Sequence, residues 1–317
     1  MKPKNCLIFG GTGQIGKNLI RKLAKNNYKV TVITRNSHTK GNIIKTQANA
    51  GYIDIVEANP FNESELRPYF ERTDICINLI GILFEKGKKN SFNNIHSNFP
   101  MMLAKLSHQS KIEQLIHVSA LGIDKAIDSQ YAISKLDGEK NALRFFSRTL
   151  ILRPSIVYSV DDNFSTNFMT LLNRLPVFPL YYNGNTKFTP IHCSDMTDII
   201  FHVVSNNINS KIVECVGPEV LSFKEILYIL LSLTGKKRFF FPLPLIAAKM
   251  SAKIFELLPN PLLTTDQLRL LKYDNVISKN YTTNSDIGVP AKKFFKEEVE
   301  KYCYMWRDGG QYSKGNM

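Results

Sequence analysis

The chain has few cysteines and histidines, and neither residue type is grouped. Its five cysteines stand far apart, and no pair has the C-x-x-C spacing of redox motifs and zinc sites. The six histidines show neither H-x-x-H nor H-E-x-x-H spacing. An odd, dispersed set of cysteines is typical of reduced thiols, so we expect neither a disulfide framework nor a metal site.

Long apolar runs and acidic residues are also scarce. No uncharged stretch reaches the roughly 18 apolar residues of a spanning helix, and the N-terminal residues lead directly into a strand-like run, which predicts that there is no signal peptide. We therefore expect a soluble, cytoplasmic protein. Acidic residues number 27 against 41 lysines and arginines, a formal charge of +14. This excess favours anionic partners, but no zinc-finger spacing, RNP motif or arginine-rich stretch predicts nucleic-acid binding.

What the first half does contain is an alternation of β-rich runs and amphipathic segments. Six runs are predicted to be strands: "NCLIFG", "YKVTVITR", "YIDIVEA", "DICINLIG", "QLIHVSA" and "RTLILRPSIVY". Apolar residues at helical spacing predict helices over 16–26, 62–71, 99–110 and 131–146, and a polar loop is expected after the second strand. Such alternation predicts right-handed βαβ units, and hence an α/β fold with a Rossmann-type, doubly wound parallel sheet.

The second half is punctuated by prolines and has a larger share of loops, which predicts a smaller C-terminal α/β lobe. We place the Rossmann domain at residues 1–158 and the smaller substrate or partner lobe at 159–307, with segments such as 212–216 returning to the first sheet. The last ten residues, 308–317 ("DGGQYSKGNM"), are expected to be disordered.

A glycine-rich turn, "GGTGQIG", follows the first predicted strand. Gly10, Gly13 and Gly16 are spaced three residues apart across the turn into the first helix. A sharp turn, backbone contact with a diphosphate and close packing of helix on strand all require the absence of a side chain. The helix N-terminus then offers free N–H groups to the phosphates. The pattern predicts a dinucleotide site; the alternative is a tight turn with a purely structural role.

The end of the second strand bears on which dinucleotide would bind. NAD-preferring sites usually carry a carboxylate here, which bonds the 2′-hydroxyl of the ribose. This chain has Thr34, Arg35 and Asn36 instead. A guanidinium suits a 2′-phosphate, so the sequence favours NADP(H) over NAD(H). The alternative is that Arg35 is an ordinary surface cation.

Three residues after the fifth strand form a pattern suited to hydride chemistry. Ser119 follows the strand, and Tyr131 and Lys135 stand one helical turn apart in the next helix. A neighbouring ammonium is expected to favour the phenolate, which makes tyrosine a workable acid or base, and Ser119 is placed to polarise a carbonyl oxygen. Tyr-x-x-x-Lys also occurs by chance, and the strand context and the glycine turn argue against chance here.

These motifs resemble the short-chain dehydrogenase/reductases, in the extended or atypical branch with an epimerase-like C-terminal lobe. "GGTGQIG", "NLIG", "HVSA", "YAISKLDGEK" and "LRPSIVY" occur in the expected order. The later segments "FTPIHCSDMTDII", "VECVGPEVLSFKEIL" and "KKRFFFPLPLIAAKMSAKIFELLPNPLLTTDQLRLL" are similar to those of the NAD(P)-binding accessory subunits of respiratory complex I and their bacterial relatives. This second resemblance covers nearly the whole chain.

The resemblance implies roles for individual positions. Arg35 and Asn36 would lie near the 2′-phosphate. Asn59 takes the place of an aspartate that bonds adenine in many relatives. Gly81 would let the cofactor approach. The diphosphate residues would be Gly10, Thr12, Gly13, Gln14, Ile15 and Gly16, and the nicotinamide side would be formed by Ser119, Tyr131, Lys135 and Pro154.

The resemblance leaves two functions open. In one, the protein holds NADP(H) mainly for the structure or assembly of complex I or another quinone-linked complex, at a cytoplasmic or matrix-equivalent site beside the inner membrane. In the other, it is an NADPH-dependent reductase or dehydrogenase that acts through Ser119, Tyr131 and Lys135 on a hydrophobic lipid or quinone precursor. Lysine at this position also bonds the nicotinamide ribose, so these three residues fit both. A scaffold with no cofactor is disfavoured because no glycine is lost.

The segment 236–258 bears on partners. Its prolines precede a predicted helix with the apolar residues Ile246, Met250, Ile254, Phe255, Leu257 and Leu258 on one side. Lys249, Lys253 and Glu256 are expected on the opposite side, and a basic cluster, 236–238, lies upstream. The pattern fits peripheral contact with an anionic membrane or a hydrophobic partner, or else packing inside the lobe.

Overall fold

A parallel sheet forms the centre of the protein. The structure, a computed structural model, describes residues 3–312 apart from 207, 209, 257, 259, 260 and 262. Its strands are β1 (Asn5–Phe9), β2 (Lys29–Thr34), β3 (Ile53–Glu57), β4 (Ile75–Asn78), β5 (Gln114–Val118), β6 (Thr149–Pro154), β7 (Val157–Tyr158), β8 (Val177–Leu180), β9 (Lys187–Phe188), β10 (Ile191–His192), β11 (Ile212–Cys215), β12 (Leu221–Ser222), β13 (Phe239–Pro242) and β14 (Thr282–Thr283).

Helices connect and cover these strands. They are α1 (Gln14–Lys25), α2 (Ser37–Lys45), α3 (Glu63–Phe70), α4 (Phe99–Gln109), α5 (Gln130–Phe145), α6 (Ser165–Arg174), α7 (Cys193–Ser205), α8 (Phe223–Thr234), α9 (Leu245–Phe255), α10 (Thr265–Leu270) and α11 (Phe295–Glu300). A π-helical segment, Asn93–Asn98, leads directly into α4. Among the described residues, no helix combines the length and hydrophobicity needed to cross a bilayer.

The eight-stranded sheet has the order β14-β11-β6-β5-β4-β1-β2-β3, and every pairing in it is parallel. The chain winds outward from β1 in one direction and then, from β4, in the other, which confirms the predicted Rossmann-type fold. The carboxyl ends of β1 and β4 meet where the direction reverses, and open α/β sheets bind their ligands at that place. Two strands of the second half, β11 and β14, extend this sheet.

Neighbouring residues of β1 explain why the sheet is covered on both faces. Cys6 and Ile8 join one buried cluster with residues of α1 and α7, whereas Leu7 and Phe9 join another with residues of α3, α4 and α5. Side chains of a strand alternate between its two faces, so an uninterrupted apolar run such as "CLIF" requires a helix layer on each side.

The polar loop expected after β2 is wrong, because residues 37–45 form α2. Asn36 caps this helix, its side-chain oxygen accepting a hydrogen bond from the Thr39 amide at 3.1 Å. Ile44 is buried in the core beneath it. A weak helical sequence becomes helical here because a cap and one buried apolar residue anchor it.

The smaller lobe has a separate apolar cluster. Residues of α6, α8 and α11 form its core with Phe178, Phe188 and Tyr158. Strands β8 and β13 pair beside it. Of the segment 308–317, residues 308–312 are described and include a 3₁₀ turn at Gly310–Tyr312, and Lys236 pairs with Asp308 at 2.6 Å; residues 313–317 lie outside the described part.

Candidate functional site

The turn between β1 and α1 requires glycine at positions 10 and 16. Gly10 has a φ of +82°, a value that other residues adopt rarely, and its carbonyl accepts a hydrogen bond from the Gly13 amide at 3.1 Å. A Cβ atom on Gly16 would lie 2.5 Å from Cα of Gly11 and 2.6 Å from the Gly10 oxygen. The first turn of α1 therefore packs directly against the backbone that leaves β1.

The N-terminus of α1 is open to a ligand. Gly13 occupies the capping position, and no side chain caps the helix there. Gly13 is exposed and Thr12 half-buried, while Ile15 packs into the core. A helix start without a side-chain cap, beside a bare backbone, provides N–H donors and a positive dipole end for phosphate. The residues present therefore fit the diphosphate of a dinucleotide.

Gln14 and Lys17 link α1 to the chain that follows β7. The Gln14 amide donates to the Ser159 hydroxyl at 2.9 Å and to the Val157 carbonyl at 3.4 Å. Lys17 forms an ion pair with Asp161. The side chain of Gln14, which was predicted to contact the diphosphate, therefore also fixes the glycine turn to the second part of the protein.

The predicted adenine side lies at the ends of β2 and β3. Arg35 is exposed, and its nearest hydrogen-bond partner is Oδ1 of Asn90 at 3.5 Å. Asn36 uses its side chain to cap α2. Asn59 is exposed, and its side-chain oxygen accepts from the Phe61 amide at 3.1 Å. Of these three predicted residues, Arg35 is the one that stays available at the surface for a phosphate.

Glu57, at the end of β3, is a residue that sequence reasoning missed. Its carboxylate accepts hydrogen bonds from the amide of Ser37, at 2.9 Å, and from the Ser37 hydroxyl. These bonds hold the pKa of Glu57 below its usual range. The Glu57 carboxylate therefore lies at the start of α2, whose first residue, Ser37, is two residues after Arg35. The signal that could have found it is its position at the carboxyl end of the strand paired with β2.

The predicted nicotinamide side lies where β4 and β5 end. Ser119 is 5% exposed; its amide donates to the Leu152 carbonyl at 2.7 Å, and its hydroxyl is buried without a hydrogen-bond partner among the described residues. Lys135 Nζ donates to the carbonyl of Val118 at 3.3 Å. A Cβ on Gly81 would lie 3.2 Å from the same Nζ. The fold thus brings Gly81, Lys135 and the backbone beside Ser119 together.

Burial sets the acid–base state of this site. It lowers the pKa of Lys135 to about 8, an effect that the nearby Glu139 carboxylate opposes. It also raises the pKa of Tyr131 to about 12, and the Asp266 carboxylate adds to that rise. The expected lowering of the Tyr131 pKa by Lys135 is therefore wrong for the protein alone. Desolvation and the Asp266 carboxylate both disfavour the phenolate.

Two buried histidines adjoin Tyr131 and Lys135, and neither was predicted. The His96 ring meets the Tyr131 ring edge to face at 5.1 Å, and its Nε2 accepts from the Ile82 amide at 3.1 Å. His117 bonds to Asn78 at 3.0 Å. Burial, assisted by the Lys135 charge, lowers the pKa of His96 to about 2 and of His117 to about 3. Both rings are therefore neutral, and they lie near the Lys135 ammonium without adding charge.

An ion pair holds the tyrosine helix to the sheet. Arg153 and Glu139 are buried, 2% and 3% exposed, and their closest atoms are 2.7 Å apart. Pro154 is also buried, and its carbonyl accepts from the Leu121 amide at 2.8 Å. The strand carrying Pro154 and the helix carrying Lys135 are thus fixed to each other behind the site.

The outer face of α9 carries exposed apolar residues. Ile246, Met250 and Ile254 are 77%, 62% and 62% exposed, whereas Ala248 and Ala252 face the lobe and are buried. We call these three exposed residues, with the exposed Lys249 and Lys253, the α9 surface. Phe255 is half-buried and Leu258 is exposed, and Leu257 lies outside the described residues.

The expectation that Lys249 and Lys253 lie on the side of α9 opposite the exposed apolar residues is wrong. Lys253 follows Ile246 by seven residues, which is about two turns, so the two side chains lie next to each other. The buried face is instead formed by alanines, which pack against Leu268 and Tyr181. A cavity of about 270 Å³ lies beside it, lined by residues that include Leu243, Leu245 and Ala248.

Comparison with known proteins agrees with this geometry. The NAD dependent epimerase/dehydratase family matches residues 6–215. The chain is similar over nearly its whole length to NADH dehydrogenase (ubiquinone) 1 alpha subcomplex subunit 9, mitochondrial. It is 25% identical to that protein of Arabidopsis thaliana over 315 residues, 96% of this chain and 78% of the relative. Against the Mus musculus protein it is 24% identical over 295 residues, 92% and 78% of the two chains.

A bacterial enzyme and a solved structure complete the comparison. The chain is 24% identical over 190 residues to ceramide reductase of Caulobacter vibrioides, 59% of this chain and 57% of that protein. UDP-glucuronic acid 4-epimerase from Bacillus cereus, solved with UDP-glucuronic acid and NAD, superimposes with a TM-score of 0.72 at 18% identity, covering 95% of this chain and 99% of that one. At this identity the likeness concerns the fold.

Proposed function

The chain belongs to the NAD dependent epimerase/dehydratase family, and from that premise we propose that it binds NADP(H) as a structural component of a respiratory or quinone-linked membrane complex. The observation that carries the binding proposal is the glycine turn. Its bare backbone and uncapped helix start leave room for a diphosphate, and a Cβ on Gly16 would collide with the backbone of Gly10 and Gly11 that forms the turn.

The structural role is supported by the extent of the similarity. Relatives named as subunits of NADH dehydrogenase (ubiquinone) align over 96% and 92% of the chain, including the second lobe. The proposed partner is therefore complex I or a complex related to it. The proposed location is the cytoplasmic or matrix-equivalent side of the inner membrane, with the protein held there peripherally.

Residues of both sheet halves would hold the cofactor. The amides of the glycine turn would hold the diphosphate, and Tyr131 and Lys135 would bond the nicotinamide ribose, with Gly81 leaving space for it. When bound, NADPH supplies a nicotinamide ring able to transfer a hydride. Within the part of the chain that the structure describes, the ammonium of Lys135 has one hydrogen bond, to the Val118 carbonyl, and so retains donors for a ribose hydroxyl.

The preference for NADP(H) is proposed from Arg35, which is exposed at the end of β2. Its guanidinium would pair with the 2′-phosphate in two hydrogen bonds. Glu57 acts in the opposite sense, because a carboxylate near this place repels a phosphate and accepts from a ribose hydroxyl. Calorimetric titration with NADPH and NADH decides between them, and tighter binding of NADH would refute the preference.

We assign the membrane contact to the α9 surface. Three exposed apolar side chains with two exposed lysines beside them suit the boundary between anionic headgroups and acyl chains. Residues 236–238 add further positive charge upstream, although Lys236 is paired with Asp308.

A matched pair of variants tests this contact. Ile246→Glu should abolish flotation of the protein with vesicles containing anionic lipid, whereas Ile43→Glu, at an exposed isoleucine of α2, should leave it unchanged. Failure of the wild-type protein to float at low salt would exclude the membrane contact.

A second function, NADPH-dependent reduction of a hydrophobic carbonyl, is favoured by one observation. The Ser119 hydroxyl is buried and lacks a hydrogen-bond partner among the described residues, as expected for a group that awaits a substrate oxygen. The similarity to a ceramide reductase suggests the substrate class, a lipid.

Complementation of a deletion strain separates the two functions. If the role is structural, a Tyr131→Phe chain restores assembly of the membrane complex, seen on native gels, and Gly16→Ala does not. If the role is catalytic, Tyr131→Phe fails as the deletion does, and purified wild-type protein oxidises NADPH with a lipid ketone or a quinone. The second result would overturn the structural role.

A further inference from the structure

One carboxylate of the smaller lobe is bonded to the start of the helix that carries Tyr131. Asp266, in the first turn of α10, accepts hydrogen bonds from the Gln130 amide at 2.8 Å, the Tyr131 amide at 2.9 Å and the Ser129 hydroxyl at 2.8 Å. Its side chain is 14% exposed, and Arg269 lies 3.5 Å away. The contact joins residues more than 130 positions apart in the sequence.

These bonds account for the first-turn amides of α5. Ser129 caps the helix, and its hydroxyl oxygen accepts from the Ala132 amide at 3.2 Å. Asp266 takes the two preceding amides, and the Ile133 amide makes the first bond within the helix, to the Ser129 carbonyl. Amides at a helix start that lack partners must be satisfied from outside the helix. Here Asp266 of the smaller lobe satisfies two of them, and its negative charge is favourable beside the positive end of the helix dipole.

The contact bears on Tyr131 itself and not only on helix stability. Oδ2 of Asp266 is bonded to the backbone amide of Tyr131, so it fixes the Cα from which the phenol projects. The same carboxylate contributes to the raised pKa of Tyr131, which indicates that its charge acts on the phenol.

The position of Asp266 is in turn set by α9. Glu256, at the end of α9, accepts from the Thr265 amide at 2.5 Å, and Leu268 of α10 is buried with Ala248 and Ala252 of α9. Glu256 and Asp266 therefore connect the three helices α9, α10 and α5 in series.

We propose that Asp266 is a positioning residue, which holds Tyr131 where it binds the nicotinamide half of the dinucleotide. The proposal rests on NADP(H) binding as the proposed function. It makes the nicotinamide half of the site dependent on the Asp266 contact, whereas the glycine turn is joined to the second part of the protein by other contacts, those of Gln14 and Lys17.

Calorimetry with two ligands tests this division. NADPH spans both halves of the site, whereas 2′-phospho-ADP lacks both the nicotinamide ring and the ribose that Tyr131 would bond. We expect Asp266→Ala to weaken NADPH binding about tenfold and to change the affinity for 2′-phospho-ADP by less than about twofold. Asp266→Asn, which keeps one acceptor oxygen, should lie between the wild type and Asp266→Ala and serves if the alanine variant does not fold.

A matched control is available in Glu219, which caps α11 by accepting from the Phe295 amide at 2.7 Å. Glu219→Ala removes a similar carboxylate-to-helix contact and should leave both affinities unchanged. Equal weakening of the two ligands by the Asp266 variants would reduce Asp266 to a structural role and overturn the proposal, as would unchanged binding of NADPH. If wild-type protein binds neither ligand, the proposed function itself fails.

Discussion

The two halves of the candidate site are built in different ways. The glycine turn lies within residues 10–16, and its shape follows from backbone contacts inside that segment. The tyrosine cluster, which we define as Ser119, Tyr131, Lys135, His96 and Asp266, draws its members from four separate segments, and the last of them belongs to the smaller lobe. One half is local and the other is assembled by the tertiary fold.

The difference also has an energetic side. The glycine turn offers amides to a ligand without burying a charge, so it costs the cofactor-free protein little. The tyrosine cluster buries a lysine that is 4% exposed beside two neutral histidines and leaves a buried hydroxyl without a partner among the described residues. Such groups weaken the fold unless a ligand completes them.

The largest effect is expected at the local half. Gly16→Ala places a methyl group 2.5 Å from the Gly11 Cα, where the neighbouring atoms are backbone and cannot move aside. We expect binding of NADPH to be lost and the free energy of unfolding to fall by about 3 kcal/mol. Calorimetry and urea unfolding measure the two effects.

Gly41 provides the control for this change. A Cβ on Gly41 meets nothing nearer than 3.8 Å, and the residue lies inside α2. Gly41→Ala should retain NADPH binding and stabilise the protein by about 0.5 kcal/mol. Normal NADPH affinity in Gly16→Ala would show that NADPH binding does not depend on the shape of the glycine turn.

In the tyrosine cluster, loss of the Lys135 charge should raise the free energy of unfolding, whereas Gly16→Ala lowers it. Lys135→Met removes the buried ammonium, so we expect the cofactor-free protein to gain about 2 kcal/mol at pH 7 and to bind NADPH more weakly. The pKa of Lys135 is about 8 in the folded chain against a usual 10.5. Between these values the unfolded chain holds the extra proton, so wild-type stability rises with pH and the advantage of the variant shrinks.

Urea unfolding at pH 7 and pH 10 checks this expectation. Lys140 lies on the same helix with its side chain 75% exposed, so Lys140→Met should change the unfolding free energy by less than about 0.5 kcal/mol. A Lys135→Met protein less stable than the wild type at pH 7 would show that the ammonium stabilises the cofactor-free site.

A smaller effect is expected at the adenine edge of the site. Arg35→Asp should weaken NADPH binding about tenfold or more, because a charge-assisted pair with the phosphate is replaced by repulsion, and should leave NADH binding unchanged or improved. Glu57→Gln should shift the ratio of the two affinities toward NADPH. Unchanged NADPH affinity in Arg35→Asp would make Arg35 an ordinary surface cation.

Much of the fold could be predicted because its signals are local. The strand runs and the glycine spacing are short patterns, and they placed β1–β6, α1 and the turn correctly. The helix α2 was missed because its stability comes from the Asn36 cap and from burial of Ile44, which pattern alone does not reveal. The sequence also did not determine which side of α9 faces solvent. Alanines, and not the larger apolar residues, pack against the lobe, and pattern alone does not reveal this.

The sequence by itself determined that a glycine turn follows the first strand and that a serine, a tyrosine and a lysine follow the fifth, because neighbouring residues and fixed periodicities specify both. Only the tertiary structure decided that Tyr131 has a raised pKa, that two neutral histidines lie near Lys135 and that Asp266 holds the start of α5. Those properties depend on desolvation and on contacts between distant segments, and both arise only when the chain is folded.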